Sequence, residues 1–393
     1  MKFVNRRGAL FLGLFGLLAS NLVAAQEGVQ IRATTIVRAD GTRLEGGVLK
    51  LEGGRIVSVG TKVDAGVPLI EHEGVLTPGL IACQSLSGMG GEANDSTRSI
   101  LPEARLVYGF NPTHSDFQKA LEAGITTMVL PPDGRNVAGG LTAVVKTEGS
   151  VISSSGHLAL SFSEKALGVR LGQSFSFFGA VEDGGIENTQ GSSSGSRLPT
   201  SYAGLVAELD KRFESQKGVF QQAKTGQLPC YFEAWERHEV LRALAFAKRH
   251  DLKGALRGAP LASTPALVAA FKDAGLGCVL GPFAIGQSRP SLTSFARLAE
   301  AGVPLAFGLD APMESPIGLR LSAAMALSAG ADAASVAKAL TIDAARIAGV
   351  DARVGSLEPG KDADFCLWSG EPWNLTSRLD AVYIEGRLVH ESE

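Results

Sequence analysis

Short apolar segments alternate with helical segments through the middle of this chain, and this alternation restricts its fold more than any other sequence feature. Eight candidate strands are short and rich in apolar residues: Val75–Leu86, Ile125–Leu130, Ala143–Thr147, His157–Phe162, Cys230–Glu233, Gly254–Leu256, Cys278–Leu280 and Pro304–Gly308. Segments whose apolar residues have the spacing of a helix lie between several of these strands: Asp116–Ala123, Arg237–His250 and Ser263–Ala274. Such alternation indicates parallel strands joined by helical crossovers. We therefore predict an α/β fold, a TIM-type (β/α)8 barrel over residues 74–352.

The two ends of the chain have a pattern that is typical of antiparallel strands. Gly47–Glu52 and Arg55–Val59 alternate apolar and polar residues on either side of a Gly-Gly pair, which is a hairpin signal. Two segments near the other end are also rich in β-forming residues, Ala363–Trp368 and Ala381–His390. Neither end can bury a core alone, so we predict that residues 26–73 and 353–393 form one small β-sandwich.

One connection is much longer than the others, because residues 163–228 separate the fourth and fifth candidate strands. Its middle, residues 182–199, is rich in Gly and Ser and predicts a flexible surface loop. Tyr202–Lys224 then has helical spacing. A lid over the strand ends and an insertion without function are alternatives for this segment. An apolar cluster beside the loop is interpreted as packing or loop anchoring: Phe175, Phe177 and Phe178.

Residues 1–25 have the composition of a secretory signal peptide. Lys2, Arg6 and Arg7 precede the apolar run Ala9–Ala19, and small residues lead to a predicted cleavage before Gln26. The arginine pair also fits a twin-arginine signal. The run is shorter than the roughly 20 apolar residues that span a bilayer. We therefore predict a secreted or periplasmic protein without a membrane span in the mature chain.

Charge and cysteine content exclude some classes of partner and of covalent structure. The chain has 37 basic and 40 acidic residues, and removal of the leader, which has three basic residues and no acidic ones, leaves 34 against 40, a net charge of −6. No basic patch is present, so nucleic acid is not an expected partner. The four cysteines lie far apart without a C-x-x-C pair, and we interpret them as buried free thiols: Cys83, Cys230, Cys278 and Cys366.

The segment Gly74–Gly90 reads GVLTPGLIACQSLSGMG and resembles the end of the first barrel strand in the amidohydrolase superfamily. In that family, V-x-P-G-L-I-D precedes a His-x-His pair whose imidazoles hold a catalytic metal. The residues that precede the histidine pair in the family are largely retained here. Ala82, however, stands at the Asp position, and Gln84 and Leu86 stand at the two His positions.

Two closing segments extend the resemblance to nearly the whole mature chain. Residues 339–347 (ALTIDAARI) and 354–364 (VGSLEPGKDAD) are similar to the closing signature of imidazolonepropionase-like amidohydrolases. The resemblance implies a (β/α)8 barrel with an attached sandwich. Within the second segment we expect a purely structural role, shaping a turn, for Gly355, Gly360, Lys361, Asp362 and Asp364.

The superfamily's metal ligands lie at the C-terminal ends of strands 1, 4, 5, 6 and 8. Carried over residue by residue, the resemblance places His157 near the Lys position of strand 4, Glu233 at the His position of strand 5 and Gly258 at that of strand 6. Asp310 retains the general-base aspartate of strand 8. Leu86 has no lone pair and Gly258 no side chain, so the binuclear site cannot form as written, and we expect no metal cofactor.

Two alternatives keep some chemistry at these positions. His157, Glu233 and Asp310 could bind a single Zn or another divalent metal, since one imidazole and two carboxylates suit such an ion. Without a cation, two carboxylates in one cavity would repel, and the pKa of one would rise, which gives an acid/base pair or a polar pocket lining. Strand alternation relative to Gly258 predicts that Arg257 points outward from the barrel.

Two hypotheses of function follow. The first is an exported protein that has lost most metal ligands and acts as a non-catalytic binder of a small-molecule or peptide-like ligand. It could also be a partner subunit in a homo-oligomer or in a hetero-oligomer with an active homologue. The alternative is a hydrolase acting on non-peptide carbon–nitrogen bonds, in a cyclic amide or peptide-like substrate. In it Asp310 is the general base, while His157 and Glu233 rebuild the site.

Overall fold

The computed structural model describes residues 28–95, 97–167, 199–215 and 217–392. The predicted leader, the phenylalanine cluster and nearly all of the Gly/Ser-rich loop lie outside these residues. The strands are β1 (Val29–Val37), β2 (Arg43–Glu45), β3 (Val48–Glu52), β4 (Arg55–Gly60), β5 (Leu69–Pro78), β6 (Leu80–Ala82), β7 (Ile125–Leu130), β8 (Ala138–Leu141), β9 (Ala143–Lys146), β10 (Val151–Ser153), β11 (Leu158–Ser161), β12 (Cys230–Ala234), β13 (Gly254–Gly258), β14 (Gly277–Leu280), β15 (Leu305–Phe307), β16 (Phe365–Trp368), β17 (Leu379–Ile384) and β18 (Arg387–Glu391). The helices are α1 (Asp116–Leu121), α2 (Tyr202–Glu214), α3 (Gly218–Lys224), α4 (Arg237–Arg249), α5 (Pro265–Ala274), α6 (Arg289–Glu300), α7 (Gly318–Ser328), α8 (Ala333–Leu340) and α9 (Ile342–Ala348).

The two ends of the chain form one continuous eight-stranded sheet. Its order is β18-β17-β16-β5-β1-β3-β4, and β2 pairs with β1. The ends meet where β16 runs antiparallel to β5, with Phe365 opposite Pro78 and Trp368 opposite Val75. The sequence correctly predicts that the ends associate. It begins the first central strand too early, however, because β5 of this sheet continues to Pro78.

The middle of the chain forms two further sheets, so the mixed α/β class predicted from the sequence is confirmed. Their orders are β10-β9-β7-β6 and β15-β14-β13-β12-β11-β8. Strands β11 to β15 are parallel neighbours, as the alternation predicts. The helical spacing of residues 202–224 corresponds to α2 and α3, whose buried apolar side chains belong to the main core: Leu205, Leu209, Phe213, Phe220 and Ala223.

The third predicted strand runs in the opposite direction from the one that the sequence led us to expect. In β9, Val144 pairs antiparallel with Val129 of β7, and β8 pairs antiparallel with β11. Residues 131–142 connect β7 to β9 and contain β8, and no helix lies among them. A parallel crossover usually runs through a helix, so this connection instead returns the chain antiparallel to β7.

Backbone hydrogen bonds also join the outer strands of the two central sheets. The amide of Cys83, just after β6, donates to the carbonyl of Phe307 in β15 at 3.0 Å, and the amide of Leu309 donates to the carbonyl of Gln84 at 2.9 Å. On the other side, β8 and β9 are consecutive segments on either side of Thr142. The chain segments that leave β6 and β15 consequently lie side by side.

Residues in register across the parallel strands form an inner layer. Glu233 pairs with Arg257, Arg257 with Val279, and Val279 with Ala306. Cross-strand partners share one face of a sheet, so these side chains face the same interior. Towards the N-terminal ends of the strands that interior is apolar, and Ile347 of α9 packs into it. Towards the C-terminal ends it contains charged groups.

A buried ionic network connects β9 to the closing segment. Nζ of Lys146, which has no exposed surface, lies 2.7 Å from Asp362, 3.1 Å from Asp364 and 3.0 Å from Glu385. Burial disfavours the ammonium, but the charge of Asp364 and the hydrogen bonds to Asp362 and Glu385 outweigh it and raise the pKa of Lys146. Asp362 and Asp364 thus have the structural role that the sequence predicts.

The cysteines are buried and free, as predicted, and burial raises the pKa of each thiol: Cys83, Cys230, Cys278 and Cys366. Within the part of the chain that the structure describes, no helix has the length and apolar character needed to cross a membrane.

Candidate functional site

A cleft of about 270 Å³ opens at the C-terminal ends of β6, β12, β13 and β15. Its charged and amide-bearing lining residues are Gln84, Asp133, Lys165, Glu233, Arg257, Asp310 and Glu314. A larger cavity of about 610 Å³ lies at the opposite ends of the strands, between Gly254, Gly277 and Pro304. We assign the site to the smaller cleft, because buried charged groups converge there and barrel-type active sites occupy the C-terminal ends of strands.

Asp310 and Gln84 meet at the base of this cleft. Each follows the end of a strand, β15 for Asp310 and β6 for Gln84, and Nε2 of Gln84 donates a hydrogen bond to Oδ1 of Asp310. Asp310 is half-buried. Burial raises its pKa, and it outweighs the opposing charges of Arg257 and Lys165. The carboxyl therefore holds a proton at higher pH than an exposed aspartate.

Glu233 and Arg257 form a buried ion pair beside Asp310. Nη2 of Arg257 donates to Oε2 of Glu233 and, at 2.6 Å, to the carbonyl oxygen of Pro132. The side chains of Glu233 and Arg257 are 3% and 6% exposed, so the pair is shielded from solvent. The prediction that Arg257 points outward was wrong. Arg257 pairs with Glu233 across the two strands, so its side chain faces the interior. Gly258 is the next residue along the strand and therefore lies on the other face of the sheet.

Lys165 and Trp235 form the outer wall of the cleft. Nε1 of Trp235 donates to Oε1 of Glu233 at 2.9 Å. Nζ of Lys165 lies 3.5 Å from the same oxygen and 5.4 Å from the centroid of the Trp235 ring. Neither residue was a sequence candidate. Trp235 lies two residues after Glu233, and this proximity at a strand end was the available signal.

The loop after β7 packs against the ion pair. Pro132 supplies the carbonyl that Arg257 contacts. Gly134 has φ +82°, and a Cβ there would lie 2.0 Å from Oε2 of Glu233. Glycine is thus required twice at this position, once for the backbone conformation and once for space. The sequence analysis did not identify this loop.

His157 lies at the opposite end of the strand from the cleft. It precedes β11, whereas the residue of β11 in register with Glu233 is Ser161. Nε2 of His157 donates to the carbonyl of Ile347 at 2.6 Å, and its Nδ1 is 3.0 Å from the hydroxyl of Thr142. Burial lowers the pKa of His157 to about 4. The predicted site role of His157 was therefore wrong, because the histidine was placed at the wrong end of its strand.

The donor set of the cleft does not fit a metal ion. Gln84 donates to Asp310, Glu233 is occupied by Arg257 and Trp235, and Leu86 has no donor atom. Across the described ranges, no three His, Cys, Asp or Glu side chains are grouped so that they could bind a metal. The alternative triad of His157, Glu233 and Asp310 is accordingly not assembled.

At Gly258, the strand-6 position, the backbone itself opposes a ligand side chain. Its φ is +108°, and a Cβ would lie 2.1 Å from the carbonyl oxygen of Ala234. The neighbouring Arg257 supplies the interior side chain at this level.

Comparison with known proteins agrees with this architecture. The profile of the amidohydrolase family matches residues 241–389. The imidazolonepropionase of Sphingopyxis alaskensis is 27% identical over 395 residues, covering 90% of this chain and 94% of that protein. A 5-methylthioadenosine/S-adenosylhomocysteine deaminase of Symbiobacterium thermophilum is 30% identical over 151 residues, 32% of this chain and 34% of that enzyme.

Solved structures show the same fold. An amidohydrolase from Thermotoga maritima superposes with a TM-score of 0.74 at 21% identity, over 93% of this chain and all of that one. A Xaa-Pro dipeptidase superposes with a TM-score of 0.59 at 13% identity, over 93% of this chain and all of that chain. At these identities the likeness concerns the fold alone. Together with the sequence matches, it supports membership of the amidohydrolase superfamily.

Proposed function

We propose that this protein is a hydrolase of non-peptide carbon–nitrogen bonds that uses an acid/base site built without the superfamily's histidine ligands. The observation that carries the proposal is the position of Asp310, a half-buried carboxyl with a raised pKa beside a buried guanidinium. Full-length similarity to enzymes that include imidazolonepropionases also favours a hydrolase over the non-catalytic hypothesis.

In the proposed reaction Asp310 is the general base. Its carboxylate takes a proton from a water molecule, the water oxygen forms a bond to the carbonyl carbon of the substrate, and the carbon–nitrogen bond breaks. The same carboxyl then returns the proton to the departing nitrogen. A positioned carboxyl can serve both steps, and a raised pKa suits it to the second.

Arg257 supplies positive charge for the carbonyl oxygen. Its hydrogen bonds within the described chain use Nη2, so Nη1 is left as a donor for a ligand oxygen, whereas Nε is buried without a partner. A fixed donor in a site shielded from water stabilises negative charge that develops in the transition state. Glu233 holds the guanidinium in place, as a positioning residue.

We also infer the finer architecture that this chemistry uses. The backbone hydrogen bonds between the segments at Cys83 and Phe307 support closure of the two central sheets into a barrel. Solved structures of similar fold support an end sheet folded as a sandwich. Export and association with an active homologue remain predictions from the sequence.

The test is hydrolysis by the purified chain of a panel of lactams, hydantoins and N-acyl amino acids, with mass-spectrometric detection of ring opening or released amine. We expect turnover of at least one class, and its loss in Asp310→Asn. The control variant Asp273→Asn removes the same charge from an exposed position on α5, and it is expected to retain activity. A folded protein that cleaves none of these amides would contradict the proposal and favour the non-catalytic binder.

A further inference from the structure

The cleft already holds a cationic group that the chain itself supplies. The ammonium of Lys165 lies 5.4 Å from the centre of the Trp235 ring and 3.5 Å from Oε1 of Glu233. The face of an indole attracts a cation electrostatically, and a neighbouring carboxylate adds to that attraction. The position of this ammonium therefore marks a subsite that suits amine or guanidine groups.

The Lys165 ammonium can leave this position without rearrangement of the backbone. Its side chain is 55% exposed, and an ion pair with an exposed partner contributes little to stability. The backbone is held independently, because the amide of Lys165 donates to Oγ of Ser163 at 3.3 Å and the amide of Glu164 donates to Oε1 of Glu239 at 2.7 Å. A ligand cation can replace the ammonium while the wall of the cleft stays in place.

The charge balance of the cleft favours such an exchange. Four carboxylates line the cleft, those of Asp133, Glu233, Asp310 and Glu314, together with two cationic side chains, those of Lys165 and Arg257. Asp133 is neutralised from outside the cleft, since it lies 3.0 Å from Nε of Arg135. Arg257 is engaged by Glu233. When the ammonium of Lys165 swings into solvent, the cleft is left with excess negative charge, which attracts cationic ligands and repels anionic ones.

We propose that the substrate carries a primary amine or a guanidinium group that replaces the Lys165 ammonium between Trp235 and Glu233. Bound there, the cationic group orients the rest of the substrate towards Asp310 at the base of the cleft. This inference rests on the proposed function for its catalytic meaning, and it adds the chemical class of the substrate.

The experiment is calorimetric titration of the purified chain with agmatine, which has an amine and a guanidinium but no amide bond, and with butyrate as an anion. We expect agmatine to bind and butyrate not to bind. Trp235→Leu should weaken agmatine binding by roughly 3- to 30-fold, the range of a cation–π contact. Trp235→Phe, which keeps an aromatic face, should weaken it less and guards against a folding defect.

Lys165→Ala provides the decisive comparison, because it empties the subsite and should strengthen agmatine binding. Lys119→Ala removes the same charge from an exposed site on α1 and should leave the affinity unchanged. Equal affinity for agmatine in Lys165→Ala and Lys119→Ala, or equal binding of agmatine and butyrate to the unmodified chain, would overturn the inference. Agmatine has no amide bond, so agmatine binding without turnover of the amide panel refutes only the proposed function. Turnover of neutral amides without agmatine binding refutes only the cation subsite.

Discussion

The side-chain amide of Gln84 donates a hydrogen bond to the carboxylate of Asp310 across the adjoining ends of β6 and β15. These residues are far apart in the sequence, and they meet because the backbone of Leu309 hydrogen-bonds to that of Gln84. Gln84 stands where the family resemblance places a histidine. In the proposed mechanism this contact fixes the direction of Asp310, the general base, from a position where the family has a metal ligand.

The pH dependence of hydrolysis tests the role of Asp310. Burial raises the pKa of Asp310, and a general base must be deprotonated, so kcat/KM should increase with pH as the pH passes through this raised value. Asp310→Asn should lower kcat/KM by roughly 10²- to 10⁴-fold and abolish that acid limb. An unchanged pH–rate profile in the variant would assign the base elsewhere.

Gln84→Leu should move the same acid limb to higher pH. A hydrogen bond to the charged form of a carboxyl favours that form, so its removal raises the pKa of Asp310 further. The pH–rate profile of the variant measures the shift directly. A shift to lower pH would show that Gln84 does not act through the carboxylate.

Metal content tests the donor set of the cleft. Purified without chelator, the chain should contain far less than one equivalent of zinc or any other divalent ion, because its carboxylates are engaged by Arg257, Trp235 and Gln84. Elemental analysis by mass spectrometry gives the answer. Near-stoichiometric metal that is lost in Glu233→Ala would instead restore the mononuclear alternative.

Gly134→Ala should destabilise the fold more than Gly226→Ala does. Both glycines have positive φ, +82° and +75°, but a Cβ at Gly226 meets nothing within 4 Å, whereas one at Gly134 lies 2.0 Å from Glu233. We expect about 1–2 kcal/mol for Gly226→Ala and roughly 2–5 kcal/mol for Gly134→Ala. Urea unfolding measures both, and equal costs would show that the contact with Glu233 does not constrain the loop.

His157 should make the protein sensitive to mild acid. Burial lowers the pKa of folded His157 to about 4, below its unfolded value of about 6.5. Its contribution to stability is complete above the unfolded pKa and is lost as the pH falls towards the folded one, by up to roughly 3 kcal/mol. The wild type should lose this stability relative to His157→Gln in urea unfolding. A pH-independent difference would contradict the argument.

Lys146→Met should cost about 3–5 kcal/mol, because it leaves Asp364 buried without its cation, whereas Asp362 keeps Arg55 and Arg353. Lys248→Met is the matched control. It breaks an ion pair with Asp273 in which both side chains are more than half exposed, and it should change the free energy of unfolding by no more than about 1 kcal/mol. Similar costs for the two variants would mean that the buried network is not stabilising.

Local pattern predicted much of this protein. The alternation of apolar and helical segments was sufficient to place the strands of the parallel sheet, since each strand is a short apolar run bounded by turns. Asp310 and Glu233 were identified through the resemblance to the amidohydrolase superfamily, which places both residues at the strand ends where barrel proteins present their functional groups. The association of the chain ends followed from the fact that neither end could bury an apolar face alone.

The direction of the third predicted strand, and the face of the sheet on which individual side chains lie, depended on the tertiary structure. The antiparallel third strand follows from a connection that contains no crossover helix, and the positions of His157 and Arg257 follow from register. A one-residue shift in register moves every side chain to the other face of the sheet, and sequence pattern sets register only loosely in strands that are apolar on both faces. The sequence by itself determined most of the strands of the parallel sheet and several of the helices between them. Only the packed structure decided that Lys165 and Arg257 join Glu233 and Asp310 in one cleft, because hydrogen bonds between segments distant in the chain bring them together.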